Sequence, residues 1–232
     1  ENSAALNFSR AAGIWFFLLP IVLTVSHRMI PFFSSRVLDN YVMVRPFWML
    51  WLMLACIVAH GGLQWLEMTA YQWMADFPLA LCALYLSYRW GFLRSFSVSL
   101  LAVLHFSFLW LGLSMTLYAV QSLVYMLSGN LLFGLAPLHA LAIGFFASMV
   151  LAMASRVTIG HSGRPPELDH TTAPLFLGFQ SAAVLRILAD LIPAMAPMLY
   201  VAAGLAWLGC FVLWAAKYAP IYWRQRVDGK PG

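Results

Sequence analysis

The run from Leu138 to Ser155 contains no Asp, Glu, Lys or Arg. As a helix rising 1.5 Å per residue it would extend about 27 Å, close to the thickness of the hydrocarbon core of a bilayer. Pro137, just before it, has a φ angle suited to a helix and lacks an amide that would be unpaired there. The run therefore predicts a membrane-spanning helix that begins at Pro137.

Apolar runs of this kind recur along the chain, of which 63% is hydrophobic and only 9% charged. No water-soluble fold can bury so large an apolar fraction. Seven runs are long enough to cross a bilayer core of about 30 Å. They lie near residues 11–27, 46–66, 71–88, 97–120, 136–155, 173–192 and 195–216. The predicted fold is all-α, a polytopic transmembrane bundle of about seven helices that forms one domain over residues 1–232.

Basic residues occur in every second connection between these runs. Eleven of the thirteen are there, namely Arg28, Arg36, Arg45, Arg89, Arg94, Arg156, Arg164, Lys217, Arg224, Arg226 and Lys230. The positive-inside bias then predicts a cytoplasmic C-terminus and an outside residue 1. The net charge of +5 is thereby explained by orientation in the lipid bilayer, and no nucleic-acid partner is expected.

Small residues recur at every fourth position of the central run, at Ala136, Ala140, Gly144, Ser148 and Ala152. In lipid such a stripe allows another helix backbone to approach closely. We therefore expect this face to pack against a neighbouring helix.

The apolar run stops at Arg156, and Gly160, Gly163, Pro165 and Pro166 are expected to break the helix. The plain interpretation of residues 161–164 is a C-terminal turn with Gly163 in a left-handed conformation. The functional alternative is a ligand on the inner face or an anion-binding turn. Both interpretations remain open.

Ionisable residues inside a membrane are costly and are candidates for function. Counting from the span ends places His60, Asp76, His139, Arg186 and Asp190 in a polar layer near the outer leaflet. Arg186 and Asp190 are four residues apart and share a helix face, so mutual neutralisation is the favoured interpretation.

The remaining histidines lie at other depths. His105 is deeper and somewhat towards the cytoplasmic side, while His27, His161 and His170 are expected at the inner rim. Because His139 and His161 stand at the two ends of one helix, they are predicted not to share a metal.

Haem iron is commonly held by histidine, and haem carboxylates need cationic partners. His139 with Arg186 is able to supply both, the alternative being an ordinary hydrogen-bonded core histidine. His60 is interpreted as such a core residue. Cys56, Cys82 and Cys210 are interpreted as buried free thiols, with soft copper ligation as the alternative.

Several segments resemble the NnrS family. Its signature is similar to His139-Ala140-Leu141, Arg156 and the 160–165 segment Gly-His-Ser-Gly-Arg-Pro. Residues 28–33 (Arg-Met-Ile-Pro-Phe-Phe), then Trp90, Leu104-His105 and Trp110-Leu111, resemble further landmarks in the same order. So does the closing segment from Tyr218 to Gly232. Ser162 and Ala142 stand where the family usually has Thr.

The resemblance implies a bacterial inner-membrane protein that binds haem and copper and takes part in the nitric oxide response, nitrosative-stress protection or denitrification. It implies cofactor contacts from His139, His105, His161, Arg156, Arg164 and Arg186, the three histidines being metal-ligand candidates. Family members have about twelve spans. We therefore expect this chain to be the C-terminal half of a longer protein, completed by N-terminal helices or by self-association.

Two alternatives of other classes remain. One is a secondary transporter whose buried His, Arg and Asp residues form a proton or substrate path. The other is a structural subunit that docks on another membrane protein. A Soret band in the purified protein would separate the haem-binding interpretation from both. Neither composition nor spacing decides whether the protein is an enzyme.

Overall fold

The computed structural model describes residues 2–164 and 172–229, which contain no β-strand. The α-helices are α1 (Asn2–Ala12), α2 (Leu19–Val37), α3 (Phe47–Trp65), α4 (Trp73–Arg89), α5 (Phe92–Ser95), α6 (Ser99–Ser128), α7 (Ala136–His139), α8 (Ser148–His161), α9 (Thr172–Leu191) and α10 (Ala196–Tyr218). Two π-helical segments, Gly13–Leu18 and Ala140–Ala147, join α1 to α2 and α7 to α8. Three short 3₁₀ turns complete the helical structure, at Thr69–Tyr71, Pro193–Met195 and Ala219–Trp223.

The predicted all-α membrane bundle is confirmed. Six helical stretches of the described residues are long and apolar enough to cross a membrane. They are Phe8–Val37, Phe47–Trp65, Ser99–Ser128, Ala136–His161, Thr172–Leu191 and Pro193–Trp223. The predicted span at 71–88 corresponds to α4, which is shorter, at 17 residues, and contains Pro78.

The first two helices and their π-helical link extend further than the predicted run 11–27. Arg28 and Arg36, expected in the connection that follows, lie within α2 instead. Both side chains are exposed, so their charged ends remain outside the packed core while their backbones stay helical.

Helix α6 lies at the centre of the bundle. In its most apolar stretch 61% of the residues are buried, against 11% in the last span. Its neighbours include α4, α8 and the π-helical segment 140–147. The family landmarks Trp90, Leu104, His105, Trp110 and Leu111 are all buried at or near this helix.

The predicted small-residue stripe is the packing face of the α7–α8 span. All five of its members are buried. A Cβ atom at Gly144 would lie 2.5 Å from the indole ring of Trp110 in α6. The Trp110 Nε1–H donates to Gln180 Oε1 at 2.6 Å, and Gln180 Nε2 donates to Ser148 Oγ at 2.9 Å. The stripe thus connects three helices, α6, α8 and α9.

The helix that contains the stripe continues past Arg156 to His161. This extension includes Gly160, which was expected to help break the helix, and within it the Arg156 guanidinium lies over the Phe33 ring, 4.1 Å from its centroid. Gly163 then adopts φ +75°, which confirms the predicted left-handed turn. Pro165 and Pro166, also predicted to break the helix, lie outside the described residues.

Connections that carry the basic residues meet at one end of the bundle, which we call the basic end. Arg36, Arg156 and Arg226 line one cavity there. Arg94 donates from Nη2 to the Asp39 backbone oxygen at 2.5 Å. The connections that were predicted to carry the basic residues, those after α2, α4, α8 and α10, therefore lie at the same end of the bundle.

The other end of the bundle is held by hydrogen bonds between different connections. Ser122, near the end of α6, accepts from the Trp73 backbone N–H at 2.9 Å and donates to the Thr69 carbonyl at 2.7 Å. His139 contacts Asp190 at the same end. We call this the opposite end.

The Gly144 contact predicts that Gly144→Ala destabilises the protein. Overpacking in a well-packed core typically costs about 1–3 kcal/mol, which exceeds the gain of about 1 kcal/mol from replacing a helical glycine by alanine. We expect a lower thermal midpoint in detergent, measured by intrinsic fluorescence. Gly204→Ala in α10, where a Cβ meets nothing within 4 Å, is the matched control and should leave the midpoint unchanged or raise it. Equal midpoints for the two variants would contradict the close α6–α8 approach.

Candidate functional site

His139 ends helix α7 and lies in a hydrogen-bonded group at the opposite end. Its Nδ1 is 2.7 Å from Asp190 Oδ2, and Arg186 Nε donates to its Nε2 at 3.2 Å. Tyr200 donates from its hydroxyl to Asp190 Oδ1 at 2.7 Å, and its ring lies 4.3 Å from the Arg186 guanidinium carbon. The predicted pair His139 and Arg186 is therefore in direct contact.

The expectation that Arg186 and Asp190 neutralise each other directly is replaced by a three-residue arrangement. His139 lies between them, with Asp190 on one ring nitrogen and Arg186 on the other. Because an arginine is only a donor, Nε2 must be the unprotonated nitrogen and Nδ1 must carry the proton that Asp190 accepts. The histidine is thus neutral and its tautomer is fixed.

His60 in α3 forms a second histidine–aspartate pair with Asp76 in α4. The Nδ1 to Oδ1 distance is 2.5 Å, and the two side chains are 1% and 0% exposed. None of the other described residues hydrogen-bonds to His60 Nε2, and the Asp76 Oδ2 atom is buried without a hydrogen bond among them. His60 is thus a buried, hydrogen-bonded core residue, as the sequence indicated, and Asp76 is the partner that the sequence did not identify.

Aromatic rings enclose this second pair. The Trp15 ring centroid is 3.6 Å from that of His60, and the Tyr118 ring meets His60 edge-on at 5.1 Å. Trp15 belongs to the π-helical segment Gly13–Leu18, and His139 directly precedes the other one, Ala140–Ala147. π-Helical turns occur frequently at functional sites, and here one adjoins each pair.

A cavity of about 610 Å³ adjoins the rings that enclose His60, although none of the four paired side chains is among its described lining residues. Trp15 and Tyr118 form part of its wall, as does Leu138, the residue before His139. Arg10, Gln64 and Glu67 add polar groups to the wall. The volume is within the range of about 300–1,000 Å³ that is usual for ligand and cofactor sites.

The two pairs share a chemical feature with metal-binding histidines. A carboxylate on Nδ1 fixes the ring and directs the Nε2 lone pair outwards, which is the usual orientation of a histidine that ligates a metal through Nε2. In His139 the Arg186 side chain occupies that lone pair, whereas in His60 no described residue does.

His105 lies in α6, away from these pairs. Ser34 donates its single hydroxyl proton to the Ile30 carbonyl at 2.8 Å, so its oxygen must accept from His105 Nε2–H at 2.9 Å. The Nε2 atom of this candidate ligand is thus already used within the bundle.

His27, expected at the rim, is buried at 2% exposure in α2. The centroids of the Trp90 and Phe47 rings lie 5.8 and 5.9 Å from the centroid of the His27 ring. No described residue hydrogen-bonds to His27 Nε2. Phe47 is the first residue of α3 and Trp90 directly follows α4, so His27 lies towards the basic end but is buried, with α2 continuing ten residues beyond it to Val37. His170, expected at the same rim, lies outside the described residues.

His161, Arg156 and Arg164 are at the basic end, so His139 and His161 are separated as the sequence predicted. His161 is exposed and lines a cavity with Arg156, whereas Arg164 lies outside that lining. The Nη1 atoms of Arg156 and Arg164 are both buried without a hydrogen bond among the described residues.

The C-terminal tail packs on the turn that follows α8. The Val227 N–H donates to the Ser162 carbonyl at 3.1 Å, and the Asp228 carboxylate lies against Gly163. Arg226 donates two hydrogen bonds to Asp228, at 2.9 and 2.7 Å, and this contact raises the pKa of the Arg226 guanidinium. One arginine of the basic end is therefore already paired.

The described residues offer few side chains that could bind one metal ion together. Among the residues that the structure describes, no three His, Cys, Asp or Glu side chains come together. The three cysteines are free thiols, of which Cys56 and Cys82 are buried and Cys210 half-buried. Each histidine–aspartate pair supplies one nitrogen donor. One donor is sufficient for an axial haem ligand but does not complete a copper site.

Membrane-length helices around one buried and one partly buried histidine–aspartate pair define a multi-pass membrane protein with a polar site near one end of the bundle. The family model described as NnrS protein matches residues 2–226, and the chain belongs to the NnrS family. No curated protein and no solved structure matches the chain.

Sequence reasoning missed the partners of both pairs. It placed His60 and Asp76 at the same depth but did not pair them. The signal was present, since only the short segment 66–72 separates the helices that carry them. Trp15, Tyr118 and Tyr200 gave no signal, because aromatic residues are common throughout the chain.

The His60–Asp76 contact predicts strong coupling between the two side chains. In a double-mutant cycle with His60→Ala and Asp76→Ala, we expect an interaction energy of about 1–3 kcal/mol, because either single change leaves a buried polar partner unpaired. Thermal or denaturant unfolding in detergent measures it. His161→Ala, at an exposed position of the basic end, paired with Asp76→Ala is the control cycle and should show additivity. Additive effects of His60→Ala and Asp76→Ala would disprove the pair.

Proposed function

We propose that this chain is part of a haem- and copper-binding protein of the bacterial inner membrane that takes part in the nitric oxide response, in nitrosative-stress protection or denitrification. Membership of the NnrS family supports this proposal. The single observation in the fold that supports it most directly is the presence of two histidines whose Nδ1 atoms contact carboxylates.

We propose His139 as a haem ligand, with Asp190 holding its ring through Nδ1. The residues fit this role because Nε2 is unprotonated and only Arg186 occupies it. Release of Nε2 would free the Arg186 guanidinium to neutralise a haem carboxylate. When bound, haem supplies an iron centre for a small gas molecule such as nitric oxide, and the chain supplies the ligand, its orientation and the cation.

His60 is a second candidate at the same end, with Asp76 in the orienting role. His105 remains a candidate through the family resemblance, although Ser34 holds its Nε2. His161, Arg156 and Arg164 lie at the basic end, and their positive charge favours an anionic ligand other than the haem that His139 would hold. They lie too far from His139 to belong to the same cofactor contact.

Copper fits the described residues less well than haem does. One nitrogen from a histidine–aspartate pair leaves most of a copper coordination sphere to other groups. We propose that helices outside the described residues, from an N-terminal half or a second copy, complete such a site.

The competing proposal is a secondary transporter. The cavity of about 610 Å³, which has Arg10 and Glu67 in its wall and shares Trp15 and Tyr118 with the surroundings of His60, favours it as a second candidate, because ionisable groups within a membrane are able to form a proton path. The transporter proposal predicts a colourless protein, whereas the haem proposal predicts a Soret band.

If His139 ligates haem, His139→Ala in the full-length protein should remove or shift the Soret band while expression persists. Asp190→Asn should weaken haem retention by about 10–100-fold, the usual effect of losing a carboxylate behind a metal-bound histidine. Visible spectra and pyridine haemochrome content of detergent-purified protein measure both. Ser128→Ala, exposed near the same end, is the control. An unchanged spectrum in His139→Ala would return this histidine to a structural role.

We also propose that the basic end faces the cytoplasm, which follows from the positive-inside bias. In a cysteine-free background, Val42→Cys at the basic end should be protected from an impermeant thiol reagent in intact cells, and Ser128→Cys should be labelled. Both positions are exposed on the protein, so that access depends on the side of the membrane. Labelling at Val42→Cys without labelling at Ser128→Cys would reverse the orientation, and equal labelling would contradict the alternation.

A further inference from the structure

The cavity at the basic end contains a buried arginine that forms no ion pair with any described residue. Arg156 is 8% exposed, and its guanidinium packs on the Phe33 ring. Its Nη1 atom is buried and makes no hydrogen bond to any described residue. A buried cationic donor without an acceptor is costly, so a ligand that supplies an acceptor there would be stabilised.

The space beside Arg156 suits an anion. The cavity has a volume of about 530 Å³ and is lined by Met29, Phe32, Phe33, Arg36, Arg156, Val157, Gly160, His161 and Arg226. No Asp or Glu occurs among these described lining residues. Asp228 pairs with Arg226 from outside the lining, which leaves Arg36 and Arg156 as the main sources of positive potential.

Simple anchoring by a positive charge does not account for this arrangement. An arginine that serves only for orientation extends its charged end into water or among headgroups. Arg36 and His161 are exposed in this way, whereas Arg156 is turned into the protein. The hydrocarbon side chains Met29, Phe32 and Val157 in the same wall would accommodate an apolar chain attached to the anion.

We propose that this cavity binds a phosphate group, with Arg156 as its central donor and Arg36 as a second cation. Two sources have this chemistry, the headgroup of an anionic phospholipid and free inorganic phosphate. Basic pockets between membrane helices on the cytoplasmic side are known to accept phospholipid headgroups. Arginine is suited to the role because its planar guanidinium donates two parallel hydrogen bonds to phosphate oxygens.

The test is thermal stabilisation of the full-length protein in a nonionic detergent. Short-chain phosphatidylglycerol, short-chain phosphatidylcholine, inorganic phosphate and chloride at equal ionic strength are titrated separately. The expected result is a saturable rise of the midpoint with phosphatidylglycerol, and an apparent affinity that Arg156→Gln weakens by about tenfold, as loss of a charge-assisted hydrogen bond predicts. A response to phosphatidylglycerol alone assigns the headgroup, whereas an equal response to inorganic phosphate assigns the free ion.

Arg45→Gln is the matched control, since it removes the same charge at an exposed position outside the cavity. If it weakens binding as much as Arg156→Gln does, the effect is one of general charge and the proposal is wrong. Equal responses to phosphatidylglycerol and phosphatidylcholine, or none to either phosphate source, also overturn it. Should Arg156→Gln fail to fold, Arg36→Gln is measured instead and is expected to weaken binding by a smaller factor.

This inference does not depend on the proposed haem. The visible spectrum is recorded for the same variants, and Arg156→Gln should leave any Soret band unchanged. Loss of that band with phosphatidylglycerol stabilisation retained would assign the cavity to haem carboxylates and overturn the phosphate proposal. A colourless protein that still responds to phosphatidylglycerol would refute the haem proposal alone.

Discussion

The close approach of Gly144 to the Trp110 ring is the contact on which the rest of the bundle depends. It sets the separation of α6 and α8, and the Trp110 indole then reaches Gln180 in α9. Gln180 in turn bonds to Ser148 beside the same glycine. Because α9 is fixed in this way, Arg186 and Asp190, further along it, face His139. In lipid there is little hydrophobic drive between helices, so small residues and interhelical hydrogen bonds have to provide the specificity.

Much of this architecture could be predicted from the sequence, since membrane spans depend on length, apolarity and the position of charges. The stripe from Ala136 to Ala152 and the turn at Gly163 follow from local rules on spacing and backbone freedom. The partners of Asp190 could not be predicted in this way. Helical spacing alone favours Arg186, four residues away, but His139 from another helix competes for it and lies between the two.

The two ends of the bundle solve the problem of buried polarity differently. At the opposite end each aspartate is matched with a histidine, so that neutral or paired groups face the membrane interior. Such pairing lowers the cost of burial and at the same time fixes a histidine tautomer. The stabilising contact is thus also the one that orients a potential ligand.

At the basic end the charges are not matched in this way. Asp228 forms an ion pair with Arg226. Arg156 makes a cation–π contact with Phe33, which offsets only part of the free-energy cost of removing its charge from water. A charge that serves only to orient the protein in the bilayer needs no burial, and Arg45 is exposed. Burial of Arg156 adds a cost that orientation does not require. The cost is explained if the arginine completes its hydrogen bonds with an anion that the bilayer itself supplies, in which case the membrane is a ligand of the protein as well as its solvent.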